Sequence, residues 1–400
     1  MHEPVSEDLS AMTDLGKVHV VLAQSQEERE EIFSLRYEIY VEEMGKSPPD
    51  ADHRRRWIRD SLDIAARLYG LRDPEGKLVG TLRLNLLGDL DDPDSQLRVM
   101  AKALMPLLEH VSWKSMSYTS RLMLQAACRG GTALGLLFNR CYGDAIQAGI
   151  RLDLCHANPG LVEFYEQLGY RRFCSGVDWP GIGYQVPMLL ALNDVSHLKI
   201  SRSPLMRHPH ARVAEDRWGD GAFFSRLCAT YQGLNHRLVE PDQFWDEVGA
   251  ALCDQNNGIP LFQGMQDDQV RALLKTGTVL SCQAGDRLVR QGDPQQDLFV
   301  VLEGVAEVWR QKDNGERLSL ALLRTGSVFG EMGFLGRQRR SADVVAVTSL
   351  RVLVLTQNFL RRAIRSHPEA AALMLRNLSM VLSERLSTTT DRLWQLSQSP

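Results

Sequence analysis

The sequence predicts two unlike folds in one chain: an α/β domain over residues 17–195 and, over 257–400, a small antiparallel β-roll with flanking helices, joined by a linker over 196–256. Three observations carry this reading. Between 17 and 195, β-type runs alternate with runs of helical period, the pattern of α/β layers. The run AGDRLVRQGDPQQDLFVVLEGVAEVWRQKDNGERLSLALLRTGSVFG breaks into short alternating strands at Gly-Asp, Asp-Pro, Glu-Gly and Asn-Gly turns, as a roll does. After it, Leu375, Leu378, Leu382, Leu386, Leu393 and Leu396 recur on one helical face.

The 400 residues leave room for two or three domains, and 44% hydrophobic content is enough for separate cores. A net charge of −4 with interspersed signs argues against a nucleic-acid partner, Arg54-Arg55-Arg56 being a local exception. No apolar run is long enough to span a bilayer, and the polar start MHEPVSEDLS does not read as a signal peptide. Seven cysteines without CxxC spacing fit buried thiols in a reducing cytoplasm. The spacing of His197, His208, His210 and His236 fits no ligand set, so no metal is expected.

In order, the predicted elements are the strand VHVVLA, the helix EEREEIFSLRYEIYVEEMG, the strands AARLYGLRD and KLVGTLRLNLL, and a helix near 94–109. There follow the strand YTSRLMLQ, a helix from Thr132 to Gly149, the strand RLDLCHA, a helix from Gly160 to Leu168 and two final strands. The strand SRLMLQ leads through ACRGGTALG into a helix N-terminus, whose free amides can meet a pyrophosphate or phosphopantetheine phosphate; the same Gly-Gly also serves as an ordinary turn. Beyond the sheet, KISRSPLMRHPHARVAEDRWGDG reads as a linker, and helices near 217–232 and 241–253 as a coupling element.

The segment from Asn158 to Tyr170, NPGLVEFYEQLGY, resembles the N-x-x-x-x-x-F-Y-x-x-x-G-F segment of GNAT acyltransferases. The resemblance implies a GNAT-like fold in which a strand end splays open to admit a thioester arm beside Asn158. It also places Tyr165 by the thioester sulfur as general acid. Arg129, Gly130 and Gly131 match the start of that family's phosphate loop, with Thr132 counted beside them, while Thr132 and Leu134 stand where the family has small residues.

IFSLRYEIYVEEMG, Asp60-Ser61-Leu62-Asp63, VGTLRL and TSRLML further resemble acyl-homoserine lactone synthases and N-acyl amino acid synthases. Arg36, Asp60, Asp63, Arg83 and Arg121 fall on that group's charged positions, and Tyr118 stands where lactone synthases carry a glutamate. The resemblance implies an acyl-CoA or acyl-ACP donor, with acyl carrier protein as a partner in the second case. Arginines can hold an amino-acid carboxylate, and carboxylates can hold its ammonium and help remove a proton. The same charges would equally form a buried ion-pair network.

In the C-terminal half, the glycine turn Phe329-Gly330-Glu331 lets backbone N–H groups approach a phosphate, and Arg340 follows with a fork able to neutralise it. An ordinary strand–turn–strand corner would look similar. The span from Leu261 to Leu396 resembles a cyclic nucleotide-binding domain. The resemblance implies that Glu331 holds the ribose 2′-hydroxyl and that Arg340, Ser341 and the amides near Ala342 hold the cyclic phosphate; Asp343 departs from the family and implies a more acidic pocket. LSMVLSERLSTTTDRL resembles the long helix of the catabolite activator proteins, which puts Thr389 and Thr390 where adenine is read and favours cAMP. That helix is either a lid on its own roll or the seam of a homodimer. The chain reaches Pro400 without a helix-turn-helix, so the output is expected upstream.

The sequence therefore reads as a cytoplasmic bacterial-type N-acyltransferase under allosteric control by a cyclic nucleotide, cAMP. It moves an acyl group from acyl-CoA or acyl-ACP to an amino acid. The alternatives are a cAMP-regulated protein lysine acetyltransferase and a catalytically silent nucleotide sensor.

Overall fold

The computed structural model describes residues 18–90, 111–129, 133–173, 176–179, 182–208, 259–274, 277–312, 314–336 and 338–398. The helix expected near 94–109, the coupling helices at 217–232 and 241–253, most of the linker, and Gly130, Gly131 and Thr132 lie outside these residues. The chain forms two compact units, the first drawn mostly from residues before 234 and the second mostly from those after it.

The first unit is an α/β layer built on one sheet. Ser25 starts helix α1 (Gln26–Tyr37) through a capping box: its hydroxyl accepts from Glu28 N at 3.2 Å while Glu28 Oε2 accepts from Ser25 N at 3.1 Å. The helix buries Ile32, Phe33, Leu35 and Arg36, then loosens into a π-helical turn, Glu38–Glu43. The strands are β1 (His19–Leu22), the hairpin β2 (Ala51–Asp52) and β3 (Trp57–Ile58), then β4 (Arg67–Arg72), β5 (Leu78–Leu86) and β6 (Met116–Leu124). Helix α2 (Ala133–Gln147) crosses over to β7 (Leu152–Ala157). Pro159 opens a 3₁₀ turn, Pro159–Leu161, ahead of α3 (Val162–Leu168). Then come β8 (Arg171–Arg172), β9 (Val177–Trp179), β10 (Gly183–Ala191) and α4 (Val195–Ile200).

Among the described residues the sheet runs β1-β4-β5-β6-β7-β10-β8, with β9 beside β10. The pairs β1–β4, β4–β5, β5–β6, β7–β10 and β10–β8 are antiparallel, whereas β6 and β7 are parallel because the α2 crossover returns the chain to the same end. That pair is bonded only at Met116↔Leu152, Ser117↔Asp153 and Tyr118↔Leu154, after which the strands part. On its other edge β6 carries a bulge: Thr81 faces Met123 but Arg83 faces Ser120, and Arg121 in between takes φ 55°.

The second unit begins with α5 (Asp267–Leu274), followed by β11 (Thr278–Cys282), β12 (Arg287–Val289), β13 (Leu298–Glu303), β14 (Ala306–Gln311), β15 (Arg317–Leu323) and β16 (Val328–Phe329). Next are α6 (Glu331–Gly336), β17 (Asp343–Ala346), β18 (Leu350–Leu355), α7 (Gln357–Ser366) and α8 (Pro368–Ser397). Two antiparallel sheets, β11-β18-β13-β16 and β12-β17-β14-β15, make the roll. Leu298, Val300, Leu353 and Leu355 form its core with Leu273 of α5, Phe359 of α7, and Met374 and Leu378 of α8.

The leucine stripe of α8 divides. Leu378 is fully buried against the roll, whereas Leu386, Leu393 and the neighbouring Trp394 are 68%, 63% and 66% exposed. The leucine face of the first half packs on its own roll, whereas the leucine face of the second half is exposed.

Candidate functional site

In the first unit, five charges singled out by the sequence meet beside the point where β6 leaves β7. Asp63 Oδ1 lies 2.9 Å from Arg36 Nη1 and 3.1 Å from Arg83 Nη1. Asp60 bridges Arg83 at 2.5 Å and Arg121 at 2.6 Å, and Arg121 also reaches Asp50 at 2.5 Å. Each contributor sits on a fixed element. Arg36 comes from the last turn of α1, Arg83 from β5, Arg121 from the β6 bulge, and Asp60 and Asp63 from a 3₁₀ turn that they cap reciprocally. Arg83 Nε donates to Ser120 Oγ at 2.9 Å, tying the network to β6.

Three arginines face three carboxylates, so the cluster is neutral overall and nearly dry: the side chains of Arg36, Arg83 and Asp63 are 0%, 1% and 3% exposed. Burial alone would raise the Asp60 and Asp63 carboxyls, but Arg83 with Arg121, and Arg36 with Arg83, outweigh it and hold both below the usual carboxylate range. Burial pushes Arg36 down to about 10, still fully charged at neutral pH. Its Nε and Nη2 are buried with no hydrogen-bond partner. The carboxylates are thus locked ionised, while a guanidinium donor is left over for an incoming anionic group.

Tyr165 does not join this network. Its ring packs edge-on to Phe138, Phe164 and Tyr170, with centroids 5.8, 5.4 and 5.3 Å away. Burial, then Cys155, Tyr40, Asp153 and Tyr118, push its phenol well above the usual range, so it stays protonated. Asn158 follows β7 as an extended residue (φ −60°, ψ 149°) at the head of the 3₁₀ turn. Arg129 is half exposed, donates to the Leu124 carbonyl at 2.9 Å and pairs with Glu43 at 2.6 Å.

A second site lies within the roll. A cavity of about 700 Å³, within the usual range for small-ligand pockets, is lined by Phe329, Gly330, Glu331, Arg340, Ser341 and Ala342. Gly330 has φ 85°, and a Cβ there would collide with Arg340 Nη1 and the Asp297 carbonyl, so only glycine fits. Arg340 is 4% exposed and donates to the carbonyls of Gly330 at 2.9 Å and Asp297 at 2.7 Å. Its Nε is buried without a partner. Asp343, expected to make the pocket acidic, is not on the wall. It falls on the opposite face of β17 from Ala342 and Val344 and lies 3.4 Å from Arg287.

Helix α8 closes one side through Val381, Glu384, Arg385, Thr388 and Thr389, the residues that its period brings to one face. Thr390 lies a further 100° around the helix, off that face, and Thr388 stands on the wall beside Thr389 instead. Arg385 pairs with Glu331 at 3.0 Å and donates to the Val328 carbonyl. The sequence reading passed over Asp50, Arg385, Thr388 and a contact between Tyr118 Oη and His156 Nδ1 at 3.2 Å. Position four before Thr389 on a helix was the available signal for Arg385.

Residues 31–193 match the family model described as N-acyl amino acid synthase FeeM, and residues 279–367 match that of the cyclic nucleotide-binding domain. The cyclic AMP receptor protein of Thermus thermophilus is 34% identical over 129 residues, 32% of this chain and 58% of that protein. Glutaminase 2 of Bradyrhizobium diazoefficiens is 35% identical over 137 residues, 34% of this chain and 21% of that protein. The crystal structure of the Thermus thermophilus catabolite activator protein is similar at 33% identity and a TM-score of 0.32, covering 34% of this chain and 63% of that one. The chain therefore spans less than two thirds of each of these relatives. Among the described residues, no helix is long and apolar enough to cross a membrane, and no group of residues is arranged to hold a metal ion.

Proposed function

We propose that this chain, which carries a FeeM-family N-acyl amino acid synthase domain and a cyclic nucleotide-binding domain, transfers an acyl group from an acyl-CoA or acyl-ACP thioester to the amine of an amino acid under the control of cAMP. The observation that carries the reading is the dry network of Arg36, Asp63, Arg83, Asp60 and Arg121 beside the parted strands β6 and β7. A buried cluster of paired charges suits a small zwitterion better than a lysine on a protein surface, which needs an open groove. Arg36, with two unpartnered donors, is the arginine best placed to take the acceptor's carboxylate.

The carboxylates are held ionised by their arginines, so they orient and do not accept the proton. The amine sheds it to solvent and attacks as the neutral form, so the rate rises with pH towards the amine's own pKa. Tyr165, with its phenol kept protonated, can return a proton to the departing thiolate. In the roll, Arg340 and the Gly330 turn suit a cyclic phosphate, Glu331 a ribose hydroxyl, and Thr389 an adenine edge. The relative named for cyclic AMP supports the choice of nucleotide. The exposed Leu386, Leu393 and Trp394 suit a homodimer seam.

Mass-spectrometric turnover of acyl-CoA and acyl-ACP with the twenty amino acids and a lysine peptide, with and without cAMP, tests the reading. N-acyl amino acid formed at a cAMP-dependent rate is the expected result. No turnover of any donor would leave the nucleotide sensor. Acylation of the peptide alone would transfer the activity to protein lysines.

A further inference from the structure

Two side chains that the reaction has not yet used stand where the sheet opens. Tyr118↔Leu154 is the last rung between β6 and β7, and His156 lies two residues beyond it on the same face of β7. That face also carries Ser120, the hydrogen-bond partner of Arg83. The Tyr118 hydroxyl lies 3.2 Å from His156 Nδ1, and the two rings meet edge to face at 5.7 Å. Trp179 covers the imidazole from the other side, 4.2 Å away and nearly perpendicular. His156 Nε2 is buried with no hydrogen-bond partner.

The hydrogen bond joins two groups that can each donate or accept, and its expected sense runs from Tyr118 Oη to Nδ1. Burial pushes the Tyr118 phenol up, so it keeps its proton, and Nδ1 is an acceptor within its reach. A neutral imidazole that accepts at Nδ1 carries its own proton on Nε2. Burial also pushes His156 down to about 3, so at neutral pH the ring is neutral. The ring is therefore a poor proton acceptor and a permanent neutral donor. A buried donor without an acceptor is costly in the free protein and gains most when a ligand supplies the missing oxygen.

Resting on the acyltransferase reading, we infer that His156 is a catalytic residue whose Nε2–H, set by Tyr118, donates to the thioester carbonyl oxygen and to the oxyanion formed from it. The amine nitrogen attacks the carbonyl carbon, and the C=O π pair moves onto the oxygen that His156 holds. Collapse restores C=O and breaks the C–S bond. The sulfur leaves with the bonding pair and ends as a thiol, and of the ammonium's three protons one stays on the amide, one is balanced by the thiol and one is lost to solvent. A neutral donor suits this step, because it stabilises developing charge without giving up its proton.

The test is ¹⁵N-histidine NMR of the full chain, titrated with a ketone analogue of acyl-phosphopantetheine, the arm common to coenzyme A and acyl carrier protein, with binding followed by calorimetry. The expected result is an Nε2–H tautomer for His156 in the free protein and a displaced Nε2 resonance in the complex. In turnover, His156→Phe should lose about 10²–10³ in kcat. His156→Gln, whose amide nitrogen falls near Nε2, should recover part of that loss, a rescue that a packing role would not produce. Binding without movement of the Nε2 resonance overturns the inference and leaves the acyltransferase reading standing. Failure of the analogue to bind removes both.

Discussion

Arg340 and Arg36 are both buried guanidinium groups with unpartnered donors, yet their substitution has different consequences. Arg340 is held by the carbonyls of Gly330 and Asp297 and pairs directly with no carboxylate among the described residues, so Arg340→Ala leaves the roll folded. It should weaken cAMP binding by about 1.5–3 kcal/mol, the range of a charge-assisted hydrogen bond, read by calorimetry. An unchanged dissociation constant would exclude this arginine as the phosphate ligand. Arg36→Met instead leaves the dry cluster one positive charge short, with Arg83 the remaining salt-bridge partner of Asp63. It should destabilise the protein by about 3–5 kcal/mol in urea denaturation as well as abolish amino-acid acylation. Sequence reading found both because each belongs to a group of matched positions. It missed Asp50 and His156 because their partners, Arg121 and Tyr118, are distant in sequence and brought near only by the sheet. The left-handed backbone of Arg121 was equally invisible, since a non-glycine residue in that region has no signature in composition or period.

At the scale of elements, hydrophobic period fixed the existence and type of most strands and helices but not what they pack against. The leucine repeat of α8 reads as one stripe, and only the roll decides that Met374 and Leu378 go into a core while Leu386 and Leu393 face outward. If the outer half is a dimer seam, the double substitution Leu386→Glu and Leu393→Glu should turn a dimer into a monomer in analytical ultracentrifugation without changing the melting of the roll. A monomer in the unsubstituted protein would end that proposal. The same helix carries Arg385 into contact with Glu331, so the element that presents the outer leucines also touches the nucleotide cavity.

For the molecule as a whole, the buried histidines make acid weaken the first unit, against a smaller opposing effect from the raised Asp153 carboxyl. Burial pushes His156 down to about 3 and His197 to about 4, both below the unfolded value of about 6.5. A depressed folded value gives stability that is complete above the unfolded pKa and lost as pH falls through the interval. Each histidine should therefore remove up to about 1.4 kcal/mol per pH unit below pH 6.5. Asp60 and Asp63, also depressed, extend the loss below about pH 4. Urea denaturation at pH 7 and pH 5 should show the weaker protein at pH 5; equal or greater stability there would contradict this account.

The parallel pair β6–β7 also bears on how the first unit assembles. Hairpins such as β4–β5 close across a short turn, whereas Met116 cannot find Leu152 until the whole α2 crossover has been threaded. The seam between β6 and β7 is three rungs long, against six between β5 and β6 and six between β7 and β10. The chemistry proposed above occupies that short seam, so a change that loosens it should cost catalysis and sheet cohesion together.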